Sequence, residues 1–222
     1  MHPNPIYRQA DNAANLDFAR EQGFGMLAVN GPDAPLLSHI PFLLDAGADR
    51  GADAGGAQGD IHAEFHLVRS NPIARALRGG PLPAKIAVQG PHAYVSPDWY
   101  DMDDQVPTWN YVAVHLTGTI ETLPDTDMRP LLDRISAFHE QRYAPKPEWL
   151  TSKMPDDLMD KMMRQIVPCR MRVTAIDGTW KLAQNKPESA RLGAARAMDA
   201  ANIGQEARQL AALMHRPPQP DT

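Results

Sequence analysis

A chain of 222 residues, 43% of them hydrophobic, is long enough to bury a core of barrel or sandwich type, alone or with a helical appendage. Its formal net charge of −5 excludes a global positive field for nucleic acid, so any DNA contact would need a local basic patch. The single cysteine excludes an intrachain disulfide and fits a reducing compartment. The opening segment MHPNPIYRQADN has no signal-peptide character, so the expected location is cytoplasmic with no membrane span.

Asp11 is a candidate N-cap for a short helix that carries Leu16 and Phe18 on one side and ends near Gly23. FGMLAV (Phe24 to Val29) predicts a strand, and NGPDAP turns the chain into a second, LLSHIPFLL (Leu36 to Leu44), where Pro41 favours an edge or a bulge. Residues 45–60, DAGADRGADAGGAQGD, predict a loop too poor in large apolar side chains to bury a core. IHAEFH alternates as a strand does, and Asn71-Pro72 supplies an N-cap and first helical residue for a short helix through Leu77. AKIAVQG sets Lys85, Ala87 and Gln89 opposite Ile86 and Val88. The cleanest strand runs from Asn110 to Ile120, with Val112, Val114, Leu116 and Ile120 on one face and Tyr111, His115, Thr117 and Thr119 on the other.

Helices are predicted after Asp125 and from Asp156 to Gln165. VPCRMRVTAI then alternates, with Cys169 on the apolar face as a buried structural thiol. Asp177-Gly178 reads as a hairpin turn into Trp180-Lys181-Leu182, and the tail from Pro187 to His215 reads as helical. The expected class is mainly β with α additions (α+β), a small antiparallel barrel followed by helices.

Residues 89–118, QGPHAYVSPDWYDMDDQVPTWNYVAVHLTG, gather Tyr94, Trp99, Tyr100, Trp109 and Tyr111 in a chain that is only 6% aromatic. Aromatic rings beside turn-forming residues suit either a planar ligand or an aromatic interface. GPHAYVSPDWY, VPTWNYVAVHLTG and KLAQNK, with SHIPF and HLVRSNP upstream, resemble the PaiB family. Its members are described as FMN-binding negative transcriptional regulators of the FMN-binding split-barrel superfamily, which also includes pyridoxamine phosphate oxidase. Two departures are Ala63-Glu64-Phe65, where the family commonly has a small residue and Gly, and Ala183, where it usually has Ser.

The resemblance implies an FMN-binding split β-barrel over residues 1–186 and a helical C-terminal extension over 187–222. It also implies a homodimer with FMN at the subunit interface. By the same resemblance Ser38 and His39 lie on the strand beside the flavin, and His66 has a place in the family motif. Arg69, Ser70 and Asn71 sit where a strand gives way to a helix, a position favourable to a phosphate. Lys85 and Gln89 share a polar face, Trp109, Asn110 and Tyr111 supply ring contacts, and Lys181, Gln184 and Asn185 reach across the dimer.

Other motifs carry less. His62, Glu64 and His66 share a strand face and are all able to bind metal, but one ligand set alone reads as a solvated or dimer-facing strand, so no metal is expected. His115 is a proton donor or an interface histidine, and His139, in HEQR, reads as surface. No catalytic residue is assigned: GxSxG, Walker and GxGxxG motifs are absent. The leading function is an FMN-binding homodimer that represses transcription directly or indirectly. Direct DNA binding is disfavoured, because Arg191, Arg196 and Arg208 are diluted by Glu188, Asp199 and Glu206. The alternatives are an FMN-dependent oxidoreductase acting on a small molecule, and a cofactor-free interaction module.

Overall fold

The computed structural model describes residues 1–45, 61–201 and 203–218, so all but the first residue of the predicted 45–60 loop lies outside the described residues. Seven strands form one sheet: β1 (Phe24–Val29), β2 (Leu36–Pro41), β3 (Leu43–Asp45), β4 (His62–Val68), β5 (Leu82–Val95), β6 (Thr108–Thr122) and β7 (Ile166–Lys181). Their order is β2-β1-β5-β6-β7-β4-β3. β1 runs antiparallel to β2 and β5, and β4 antiparallel to β3 and β7. β6 and β7 are antiparallel too, because Leu123 N–H donates to Pro168 C=O and Thr174 Oγ1 donates to Thr117 C=O in one register. The helices are α1 (Asn12–Gln22), α2 (Pro72–Ala76), α3 (Met128–Glu140), α4 (Asp156–Met163), α5 (Glu188–Ala201) and α6 (Gln205–His215).

The chain divides into two compact units. One comprises Met1–Phe18, Val88–His115 and Ile176–Thr222; the other comprises Ala19–Ala87 and Leu116–Ala175. In the first, Phe18, Val95, Val112, Val114, Trp180 and Leu182 are buried with the apolar faces of α5 and α6. The buried Arg191 of α5 donates to the C=O of Met214 on α6. In the second, Leu27, Ile40, Phe42, Phe65, Ile86, Leu116, Ile120, Leu131 and Met171 form the core. Period-two burial along β6 follows the predicted alternation, since a strand buried on one face repeats every second residue.

Several local expectations hold for identifiable reasons. Asn71 caps α2 through its side-chain oxygen, which accepts from Ile73 N–H at 2.8 Å, with Pro72 in the first helical position. β2 is an edge strand, the position where Pro41 removes no ladder hydrogen bond. LLSHIPFLL is split, however: Phe42, whose N–H donates to Gly23 C=O at 2.9 Å in the β1–β2 register, lies between β2 and β3. Cys169 is buried, and burial pushes its thiol up to about 12, so it stays a protonated, inert packing group.

Two expectations are corrected. Asp177-Gly178 is not a turn: β7 runs unbroken through it to Lys181. Gly178 is needed because a Cβ there would lie 2.0 Å from Asn15 Oδ1. Asp177 pairs with Arg8 at 2.6 Å. His139 is not a surface side chain. It is half-buried, with its Nε2 buried and unpartnered among the described residues, and burial, with the nearby Arg142 charge second, holds its pKa below the ordinary value.

Candidate functional site

Within the first unit, the end of β7 bends over the start of β6. Lys181 Nζ donates to the C=O of Trp109 at 2.9 Å and to Thr108 Oγ1. Beyond it, Ala183 adopts a left-handed backbone, φ 63°, unusual for a residue with a Cβ. Gln184 holds that turn shut: its Oε1 accepts from Leu182 N–H at 2.8 Å and its Nε2 donates to Trp180 C=O. Gln184 is therefore a brace of its own loop, and Asn185 beyond it is exposed.

Lys181, Asn110 and Asn185 line one cavity of about 250 Å³ together with Tyr7, Tyr100 and Lys186. Burial lowers the Lys181 pKa and raises those of the phenols, Tyr100 to about 12 with Tyr7 as its second cause. Asn110 is 1% exposed; its Nδ2 donates to the Met214 sulfur at 3.4 Å, and its Oδ1 has no partner among the described residues. Trp109 is 50% exposed, and its ring stacks against that of His92 with centroids 5.9 Å apart. Its Nε1–H donates to His92 Nδ1 at 3.2 Å, which leaves the His92 Nε2–H facing Glu206 at 3.3 Å. Gln89 is exposed and Tyr111 half-buried.

The remaining predicted residues lie in the second unit. Asn71 Nδ2 donates to Ser38 Oγ at 3.1 Å, which joins the SHIPF and HLVRSNP motifs. His66 is half-buried with Nδ1 buried and unpartnered among the described residues, and desolvation lowers its pKa, so the ring is neutral at pH 7. Arg69 binds Asp125 at 2.8 Å and the C=O of Arg164 at 2.8 Å. The N-terminus of α2 has little to offer a phosphate, because Pro72 lacks an N–H and Asn71 already caps Ile73. Ser70 and Lys85 are exposed, and His39, also exposed, stacks on Phe24 with ring centroids 6.2 Å apart.

Glu64 does not sit on a solvated face. It is 3% exposed and paired with Arg134 of α3. No group of three or more metal-competent side chains occurs among the described residues. Sequence reasoning missed Tyr7, Lys186, His92 and Glu206 as parts of these clusters. Lys186 stands inside KLAQNK and was within reach, whereas Tyr7 and Glu206 meet their partners only through the fold.

Residues 1–175 match the family model described as "Putative FMN-binding domain". The chain belongs to this FMN-binding domain family. Among relatives, the chain is 27% identical over 186 residues to "Protease synthase and sporulation protein PAI 2" of Bacillus subtilis, covering 83% of each. It is also 27% identical over 232 aligned residues to an uncharacterised protein of Aspergillus fumigatus, covering 87% of this chain and 88% of that one. Among solved structures, the FAD and heme binding protein from Mycobacterium smegmatis superposes with a TM-score of 0.54 at 16% identity, over 79% of this chain and 73% of that one. A conserved hypothetical protein from Mycobacterium tuberculosis superposes with a TM-score of 0.51 at 17% identity, over 82% and 91%. At these identities the likeness shows the fold, a split β-barrel of α+β class. No helix among the described residues of this family member is long and apolar enough to cross a membrane.

Proposed function

We propose that this member of the FMN-binding domain family is a flavoprotein that binds FMN as a homodimer, with the cofactor at the subunit interface. In this reading it acts as a negative regulator of transcription, directly or indirectly. The observation that carries the flavin is the orphaned His66 Nδ1 within a family motif, beside the family match over residues 1–175. Buried polar atoms nearly always find a partner, so an unpartnered one on a neutral ring is a place for a ligand's hydrogen bond. The second unit's residues suit FMN: Lys85 is an exposed cation, and Ser38 is held by Asn71 Nδ2 at 3.1 Å.

When bound, flavin supplies reversible one- and two-electron chemistry. In this proposal the chain's own residues bind and orient it, with His66 fixed by its strand and Asn71 holding Ser38 in place. The regulatory half rests on the PaiB resemblance. A second reading, an FMN-dependent oxidoreductase on a small molecule, is favoured by the separate donor-rich cavity at Lys181. Flavin fluorescence titration with sedimentation of the loaded protein tests the first reading. Saturable quenching at one FMN per chain and a dimer mass are expected; FMN that stays free at protein concentrations up to ~100 µM, or a strictly monomeric loaded protein, would overturn it.

A further inference from the structure

The Lys181 cavity is rich in donors and has no acid in its wall. Among the described residues Lys181 bonds to the Thr108 hydroxyl and the Trp109 carbonyl, and Lys186 to Gln105 Oε1. Neither ammonium has a carboxylate partner among the described residues. Each lysine instead stands over a phenol. Lys181 Nζ lies 6.0 Å from the Tyr7 ring centroid, and Lys186 Nζ lies 5.4 Å from that of Tyr100. Both tyrosines are buried and line the cavity. Because burial raises both phenols, each keeps its proton at neutral pH and presents an O–H donor. Asn110 also lines the wall, and its Oδ1 is a buried acceptor without a partner among the described residues.

This arrangement asks for a complementary molecule. Two ammonium groups and two phenol donors converge without a compensating charge, so they favour negative charge on the occupant. Asn110 Oδ1 needs a donor from the same occupant, since an unpartnered buried acceptor is costly. A volume of about 250 Å³ suits a small metabolite and falls below the roughly 300–1,000 Å³ of pockets that enclose drug-sized ligands. A flavin with its ribityl phosphate is too large to be enclosed there.

We propose that this cavity seats a small organic anion, a carboxylate or phosphate monoester that also carries a hydroxyl or amino group, as a ligand separate from the flavin. The anionic end faces Lys181, Lys186 and the two phenols, and the hydroxyl or amino group donates to Asn110 Oδ1. The backbone of the N-terminal segment closes on this region through His2 N–H, which donates to Thr179 Oγ1 at 3.2 Å. The proposal goes beyond the flavin reading and does not depend on it.

Calorimetric titration of the full-length chain with inorganic phosphate and with lactate, each with and without saturating FMN, tests it. Saturable binding of at least one probe is expected, changed less than about twofold by FMN. The Lys181→Met/Lys186→Met pair should weaken it by about tenfold or more, and Tyr7→Phe or Tyr100→Phe by several-fold. Should the double lysine variant fail to fold, Lys186→Gln and Tyr100→Phe, checked by circular dichroism, carry the same test. Three results would overturn the proposal: no saturable binding of either probe, unchanged affinity in the folded variants, or competition between FMN and the probe. Anion binding in a protein that takes no FMN would sink the flavin reading alone.

Discussion

Gly178→Ala drives a methyl group into a buried amide. The added Cβ would lie 2.0 Å from Asn15 Oδ1, 2.5 Å from its Cγ and 2.7 Å from its Nδ2, closer than real Cβ atoms come to any neighbour. Asn15 is 3% exposed and has little room to retreat. Its Oδ1 accepts from the buried Trp180 Nε1–H at 2.9 Å, and its Nδ2 donates to Ala10 C=O at 3.2 Å. Overpacking costs about 1–3 kcal/mol, and an indole N–H left unpaired in the core costs about 1–3 kcal/mol. Together these predict a loss of roughly 2–6 kcal/mol, or a fall in Tm of about 4–24 °C for a chain of this size. Gly178 does not have a positive φ, so strained backbone contributes nothing to this figure. Urea unfolding followed by tryptophan fluorescence measures it. In an Asn15→Ala background the same substitution should add well under 1 kcal/mol, because the obstacle is gone. A loss below about 0.5 kcal/mol in the wild-type background, or an equal cost in both backgrounds, would refute the close-approach account.

Other substitutions separate ligand binding from folding. His66→Leu removes an orphaned polar atom, so the apo protein should hold or gain about 1 kcal/mol in chemical denaturation while FMN affinity falls; a loss of stability with unchanged affinity would contradict the site. Burial lowers the His66 and His139 pKa values, so as pH falls through the ordinary histidine value of 6.5 the unfolded chain takes up protons before the folded one does. Thermal scans should accordingly show lower stability at pH 5.5 than at pH 7.5, and the His66→Leu/His139→Leu pair should flatten that dependence; an acid-stabilised protein would reverse the sign. Gln184→Ala opens the Trp180–Lys186 turn and should cost about 1–3 kcal/mol, read by thermal unfolding, with a neutral result meaning the turn does not need its brace. Trp109→Ala, at a half-exposed position, should cost under about 1 kcal/mol in stability but weaken FMN by about tenfold in fluorescence titration.

Legibility in the sequence followed locality. The β6 alternation, the Asn71-Pro72 cap, the edge position of Pro41 and the burial of Cys169 each depend on a few neighbouring residues, and each was readable from them. Asp177-Gly178 misled because a turn signature and a close-packed strand glycine look alike until Asn15, far away in the chain, is placed against it. Gln184 stood in a recognisable motif, but only the fold reveals that its amide closes its own loop. The Lys181 cavity joins the N-terminal segment, the aromatic block of residues 89–118 and KLAQNK, three stretches with no shared local pattern. Likewise, the burial of Glu64 follows from α3 bringing Arg134 over it, which strand alternation alone does not encode.

The flavin claim is the one on which most of the account depends, and a visible absorption spectrum tests it most directly. The full-length protein would be incubated with FMN, desalted and scanned, with riboflavin treated in parallel. The account predicts that the bands of oxidised flavin survive desalting at about one FMN per chain, and that they weaken in His66→Leu. A colourless protein after FMN incubation and desalting would contradict it, and would leave the Lys181 cavity as the ligand site to pursue.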